Sequence, residues 1–149
     1  MSSRKSCEDT KVPVERSRSA LAKVLAEWGA KGVQWEDDFA TGTAVLRFRW
    51  GSPTGELVAR LRLAVKSGLR LSAAAREQER RRLHRVAYHW LRAQHAAVES
   101  GLFKAETVIL PWLEDACGAT LGEALEGKLG ELGKADIANR MMLTSGQVR

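Results

Sequence analysis

Residues 43–66 read TAVLRFRWGSPTGELVARLRLAVK. In the first half Leu46, Phe48 and Trp50 alternate with Val45, Arg47 and Arg49. In the second half Leu57, Ala59, Leu61, Leu63 and Val65 alternate with Glu56, Val58, Arg60 and Arg62. Strict period-two alternation is the mark of a strand with one buried face. The intervening Gly51-Ser52-Pro53-Thr54-Gly55 is dense in turn formers. The stretch therefore predicts a β-hairpin with one apolar face and one basic face.

Upstream, Val33 and Trp35 alternate with Gln34 and Glu36, which predicts a third antiparallel strand over Val33–Glu36. Three strands with a covered face are about the minimum for independent stability. A helix is expected from Ser17 or Arg18 to Trp28, because Leu21, Val24, Leu25 and Trp28 form one apolar stripe. Ser17 is its expected N-cap and Gly29 its C′ residue. Trp28, Trp35, Phe48 and Trp50 are expected in the core. Glu36-Asp37-Asp38 with Thr41-Gly42 reads as an exposed polar turn, since the calcium-loop spacing is absent.

Downstream, a long helix is predicted over Ala73–Glu99 with Ser72 as its cap, about 40 Å long. Arg76 to Arg82 is almost wholly charged, so that half should project from the core or lie along a partner. Leu83, Val86, Ala87, Trp90, Leu91, Gln94, Ala97 and Val98 supply the buried stripe of the other half. Ser100-Gly101 ends it. A further helix should start near Lys104 and be broken at Pro111. Thr120–Leu125 is a short element of open type, and Ala135–Leu143 a terminal helix. The expected architecture is α+β. A small three-stranded antiparallel sheet carries one short and one long helix on its apolar face, followed by a small C-terminal helical region. Residues 12–125 form the domain, 1–11 a disordered tail, and 126–149 a flexible or partly helical tail.

The 149 residues suit one domain, long enough to bury a core without staples. No window approaches a membrane span, and MSSRKSCEDT has no apolar run behind it, which argues against a signal peptide. The expected location is cytoplasmic, with no membrane partner. Cys7 and Cys117 fit no disulfide or metal spacing and read as reduced thiols.

The net charge of +6 is unevenly placed. Residues 1–46 hold seven basic and seven acidic side chains, residues 47–92 twelve and three, and residues 93–149 five and eight. The middle third carries the whole excess, which suits a polyanionic partner. Arg47 and Arg49 share a face of one strand, and Arg60 and Arg62 a face of its neighbour. Like charges opposed on a sheet are unfavourable. They call for an anion, or for acids folded over them, and Glu36 and Glu56 are candidates for that cover. The long helix adds Arg76, Arg80, Arg81, Arg82, Arg85 and Arg92, and Arg grips phosphate through a planar fork.

No nucleotide, hydrolase or zinc motif occurs. The three histidines are His84, His89 and His95. Metal pairs on a helix sit three or four apart; here His84 and His95 share a face but lie about 16 Å apart. They read as a solvated or half-buried helix face. Tyr88, between them, is the aromatic expected to be exposed near basic residues.

Val12-Pro13-Val14-Glu15-Arg16-Ser17-Arg18-Ser19-Ala20, leading to Trp28-Gly29-Ala30, resembles the opening of a family of small proteins carried by bacteriophages and prophages. Ala96-Ala97-Val98-Glu99-Ser100-Gly101, Thr107-Val108-Ile109-Leu110-Pro111 and Thr120-Leu121-Gly122-Glu123-Ala124-Leu125 are similar to its second half. The family has no assigned activity, so the resemblance implies a mobile-element origin.

The expected function is that of a non-enzymatic accessory protein on DNA or RNA, without cofactor or metal. Arg47, Arg49, Arg60 and Arg62 on the sheet, with Arg81, Arg85 and Arg92 on the helix, would grip the phosphate backbone. The alternative is a protein-interaction module, an inhibitor, adaptor or oligomer building block. There the charged half of the long helix would meet an acidic protein or a second copy.

Overall fold

The computed structural model describes residues 5–53, 55–65 and 70–132. The element order is α1 (Val14–Trp28), β1 (Gly32–Asp38), β2 (Thr43–Ser52), β3 (Gly55–Leu63), α2 (Ala73–Glu99), α3 (Ala105–Ile109), a 3-10 turn (Leu110–Trp112), α4 (Leu121–Glu126) and α5 (Leu129–Leu132). The architecture is α+β. The expected helix over Ala135–Leu143 lies outside the described residues.

The sheet has the order β1-β2-β3 and is antiparallel throughout. Its register sets Trp35 against Leu46, Leu46 against Leu61, and Phe48 against Ala59. The alternation in residues 43–63 thus sends Leu46, Phe48, Ala59 and Leu61 into the core, where each is buried. Leu21, Val24 and Leu25 of α1 and Ala87 and Leu91 of α2 close over them, with Ile109 of α3. Each large aliphatic removed from water there contributes about 1.5–3 kcal/mol. Trp28 meets Trp50 edge-on, with ring centroids 5.0 Å apart. α1 and α2 run side by side in the same direction, since Arg18 touches His84 and Trp28 touches His95.

α1 starts earlier than Ser17. Pro13, at φ −61° and ψ 153°, is its N-cap, and the Ser17 N–H already donates to the Pro13 carbonyl at 3.2 Å. Proline is pre-set for a helix start and has no N–H to leave unpaired. Ser17 is instead fully buried inside the helix, its hydroxyl without a partner among the described residues. The far end matches expectation: Gly29 takes a left-handed φ of 103°, and its N–H closes the last turn.

α2 keeps the predicted bounds, with the Ser72 hydroxyl accepting from the Ala75 N–H. Its buried line is rotated from the predicted one and runs through His84, Ala87 and Leu91. The charged half does not project freely. Arg80 reaches Asp37, and Gln78 donates to the carbonyls of Glu8 and Thr10, so residues 8–10 lie along it. Trp90 meets Trp112 edge-on at 5.5 Å and ties the C-terminal region to α2.

Asp37 does not belong to an exposed turn. It points to the inner face of β1, where Arg18 grips both carboxylate oxygens at 2.6 and 3.0 Å and Arg80 adds a third contact at 3.3 Å. The Arg18 guanidinium lies 4.4 Å over the Trp35 ring, and His84 stacks on Trp35 at 5.2 Å. Arg18 Nε–H donates to His84 Nε2, so Nδ1 carries the proton and donates to the Arg80 carbonyl. His84 is therefore a neutral core residue, not part of a solvated face.

Candidate nucleic-acid interface

The outer face of the sheet carries the four arginines of the hairpin, but two of them are already occupied. Arg47 and Arg60 are register partners on β2 and β3. Glu114 Oε1 accepts from Arg47 Nε at 3.1 Å and forms an ion pair with Arg60 Nε at 3.3 Å. Glu36 pairs with Arg47 at 2.6 Å, and Glu123 with Arg60 at 2.5 Å. Its hydrogen bonds to Glu36 and Glu114 hold the Arg47 guanidinium above its ordinary pKa.

The chain after α3 delivers these acids. Leu113 bridges Ala59 at the free edge of β3, and the Glu114 N–H donates to the Val58 carbonyl at 2.8 Å. That pairing lays the Glu114 side chain over the outer face. Thr120 and Glu123 form a capping box on α4. The Glu123 carboxylate takes the Thr120 N–H at 2.9 Å and Arg60 with the same oxygen. The Thr120 N–H and the nearby Arg60 charge keep that carboxyl below its usual range. Glu36 was legible as cover. Glu114 and Glu123 were not, because their contacts cross more than sixty residues.

The other two hairpin arginines stay open to solvent. Arg49 is paired loosely with exposed Glu56 at 3.4 Å and lies across Gly32, where any Cβ would meet its guanidinium. Arg62 is exposed and makes no ion pair among the described residues. Each sits opposite a valine, Val58 and Val45 respectively, so neither faces another arginine across the strands.

The helix layer is different. Arg81, Arg85 and Arg92 fall within one stripe of α2 by helical spacing. Arg81 stands 3.6 Å from Glu77. Arg85 stacks on Tyr88 at 4.5 Å and has no carboxylate partner among the described residues, and the same holds for Arg92. Between α1 and α2 runs an open groove of about 510 Å³, lined by Lys23 and Glu27 on one side and Tyr88, Arg92, His95 and Glu99 on the other. Exposed Arg16 lies one turn before Ala20 on the same side of α1. Lys23 and Arg16 were not singled out from sequence, although their seven-residue spacing puts them on one helix face.

His89 registers the local field. Partial burial, then the charges of Arg85 and Arg92, hold its imidazole below the ordinary histidine range. Among the described residues, no group of three or more His, Cys, Asp or Glu side chains converges as a metal site would require. No helix among them is long and apolar enough to cross a membrane. No protein-family model, curated protein or solved structure matches the chain.

Proposed function

We propose that this protein is a non-enzymatic accessory protein that binds nucleic acid through the phosphate backbone, using the outer surface of the helix pair. The single observation behind this reading is the contrast between two sets of arginines. Arg47 and Arg60 are neutralised by Glu36, Glu114 and Glu123. Arg85, stacked on Tyr88, and Arg92, which lines the groove with Lys23, have no carboxylate partner among the described residues. The binding surface therefore moves from the sheet to the helices, with Arg62 and Arg49 as secondary contacts. Groups of this kind hold phosphates without reading sequence. A phage or prophage setting is part of the same proposal.

The test is equilibrium binding to labelled single- and double-stranded oligonucleotides over a salt series. Affinity that falls steeply with salt supports the reading. Absence of binding at low salt rejects it.

A second reading, a protein-interaction module, draws on a different surface from the one expected. Leu102, Phe103, Leu110, Leu125 and Leu129 are all about half or more exposed around the C-terminal helices. Exposed apolar groups gathered in one region suit a protein partner. A stable oligomer or complex without nucleic-acid affinity would favour it.

A further inference from the structure

We infer that the turn between β1 and β2 is a stacking site for an unpaired base, which makes single-stranded nucleic acid the substrate class. This rests on the nucleic-acid reading above. Phe39, at the tip of that turn, is 91% exposed, the most exposed of the large apolar side chains among the described residues. An aromatic ring held almost wholly in water loses hydrophobic stabilisation that a core position would supply.

The turn around it is fixed. Asp38 Oδ1 accepts from the N–H groups of Ala40 and Thr41 at 2.9 and 3.3 Å. The Gly42 N–H closes back on the Asp38 carbonyl at 2.8 Å, with Gly42 at a left-handed φ of 71°. Phe39 is thus presented on a pinned backbone, so less ordering is needed on binding.

Beside the ring lies an open groove of about 260 Å³, lined by Asp37, Asp38, Thr43, Arg76, Glu77 and Arg80 among others. The acids in it are already engaged. Asp37 is held by Arg18 and Arg80, and Glu77 by Arg80 and Arg81. Asp38 is bound to the turn and lies in the field of Arg62. Arg76 is the cation left over. Among the described residues it makes no ion pair, its guanidinium donates only to the Leu71 carbonyl at 3.4 Å, and its Nε has no partner.

A ring beside an unpaired guanidinium is the combination that holds a base and its phosphate. The faces of bases inside a duplex are covered by their neighbours, so only an unpaired base can use Phe39. The groove adjoins the cationic stripe of α2 through Glu77, which lines the one and pairs with Arg81 of the other.

The experiment compares wild type, Phe39→Ala, Phe39→Trp and Arg85→Ala/Arg92→Ala on a labelled single strand and on its duplex at one low salt concentration. Phe39 is exposed, so its replacement leaves the fold intact, which circular dichroism verifies. Phe39→Ala should weaken single-strand binding about 5- to 100-fold, the value of one stacked base, and leave duplex binding unchanged. Phe39→Trp should keep single-strand affinity. If Phe39→Ala binds both as wild type does, the stacking site is wrong. The backbone reading survives that result as long as wild type binds and Arg85→Ala/Arg92→Ala does not.

Discussion

Arg47 and Arg60 face each other across β2 and β3 and share one carboxylate oxygen of Glu114. Two guanidinium groups so opposed repel, and Glu114, only 13% exposed, is the group that reconciles them. Replacing Glu114 by Gln should therefore destabilise the domain by about 1–3 kcal/mol, read by urea unfolding. Arg60→Gln added to Glu114→Gln should recover part of the loss. Losses that simply add would mean the carboxylate is not shared.

Asp37 joins three elements, since it lies on β1 and is held by Arg18 of α1 and Arg80 of α2. Asp37→Asn should cost about 1–3 kcal/mol at neutral pH, because Arg18 loses its counter-charge and Arg80 keeps only Glu77. The Arg18 hydrogen bonds hold the folded carboxyl below its ordinary range, against some burial. Its contribution is full above the unfolded carboxylate pKa of about 3.9. It disappears as pH falls through the lower folded value. The acid limb of the stability curve should flatten in Asp37→Asn.

His84 makes the opposite demand on protons. Burial, with the charges of Arg18 and Arg80, holds its folded pKa down, against the pull of the Arg80 carbonyl and Asp37. The unfolded chain takes up a proton near pH 6.5, roughly the ordinary value, while the folded one stays neutral. Stability should thus be full above that pH and fall as pH drops toward the folded pKa. His84→Phe keeps a ring on Trp35 but loses the hydrogen bonds to Arg18 and the Arg80 carbonyl. It should lose about 1–3 kcal/mol at pH 7.5 and lack the decline that begins below about pH 6.5.

Much of this fold was legible because it follows from short-range pattern. The alternation through Leu46, Phe48 and Trp50 gave the right inner face, and Ser72 and Gly101 bracketed α2 at its observed ends. What was not legible depends on contacts distant in sequence. Nothing in the spacing of Glu114 or Glu123 says that they will cover Arg47 and Arg60, since a single bridge between Leu113 and Ala59 decides it. His84 read as part of a solvated or half-buried helix face because a neutral imidazole with both nitrogens satisfied leaves no periodic trace. Phe39 was absorbed into a polar turn, where one aromatic among acids and small residues does not disturb the pattern. Lys23 and Arg16 were readable from their helical spacing, yet only the side-by-side packing of α1 and α2 gives them a cationic neighbour.

The central claim is that the helix layer, and not the sheet, meets the phosphate backbone. The direct measurement is the slope of log affinity against log salt for wild type, Arg85→Ala/Arg92→Ala and Arg47→Gln/Arg60→Gln. Each lost phosphate contact lowers the slope by about 0.9 on duplex DNA and about 0.7 on a single strand. The helix variant should lose roughly 1.4 to 1.8 in slope, while the sheet variant keeps the wild-type slope. A helix variant with the wild-type slope, or a sheet variant that alone loses it, would contradict the account.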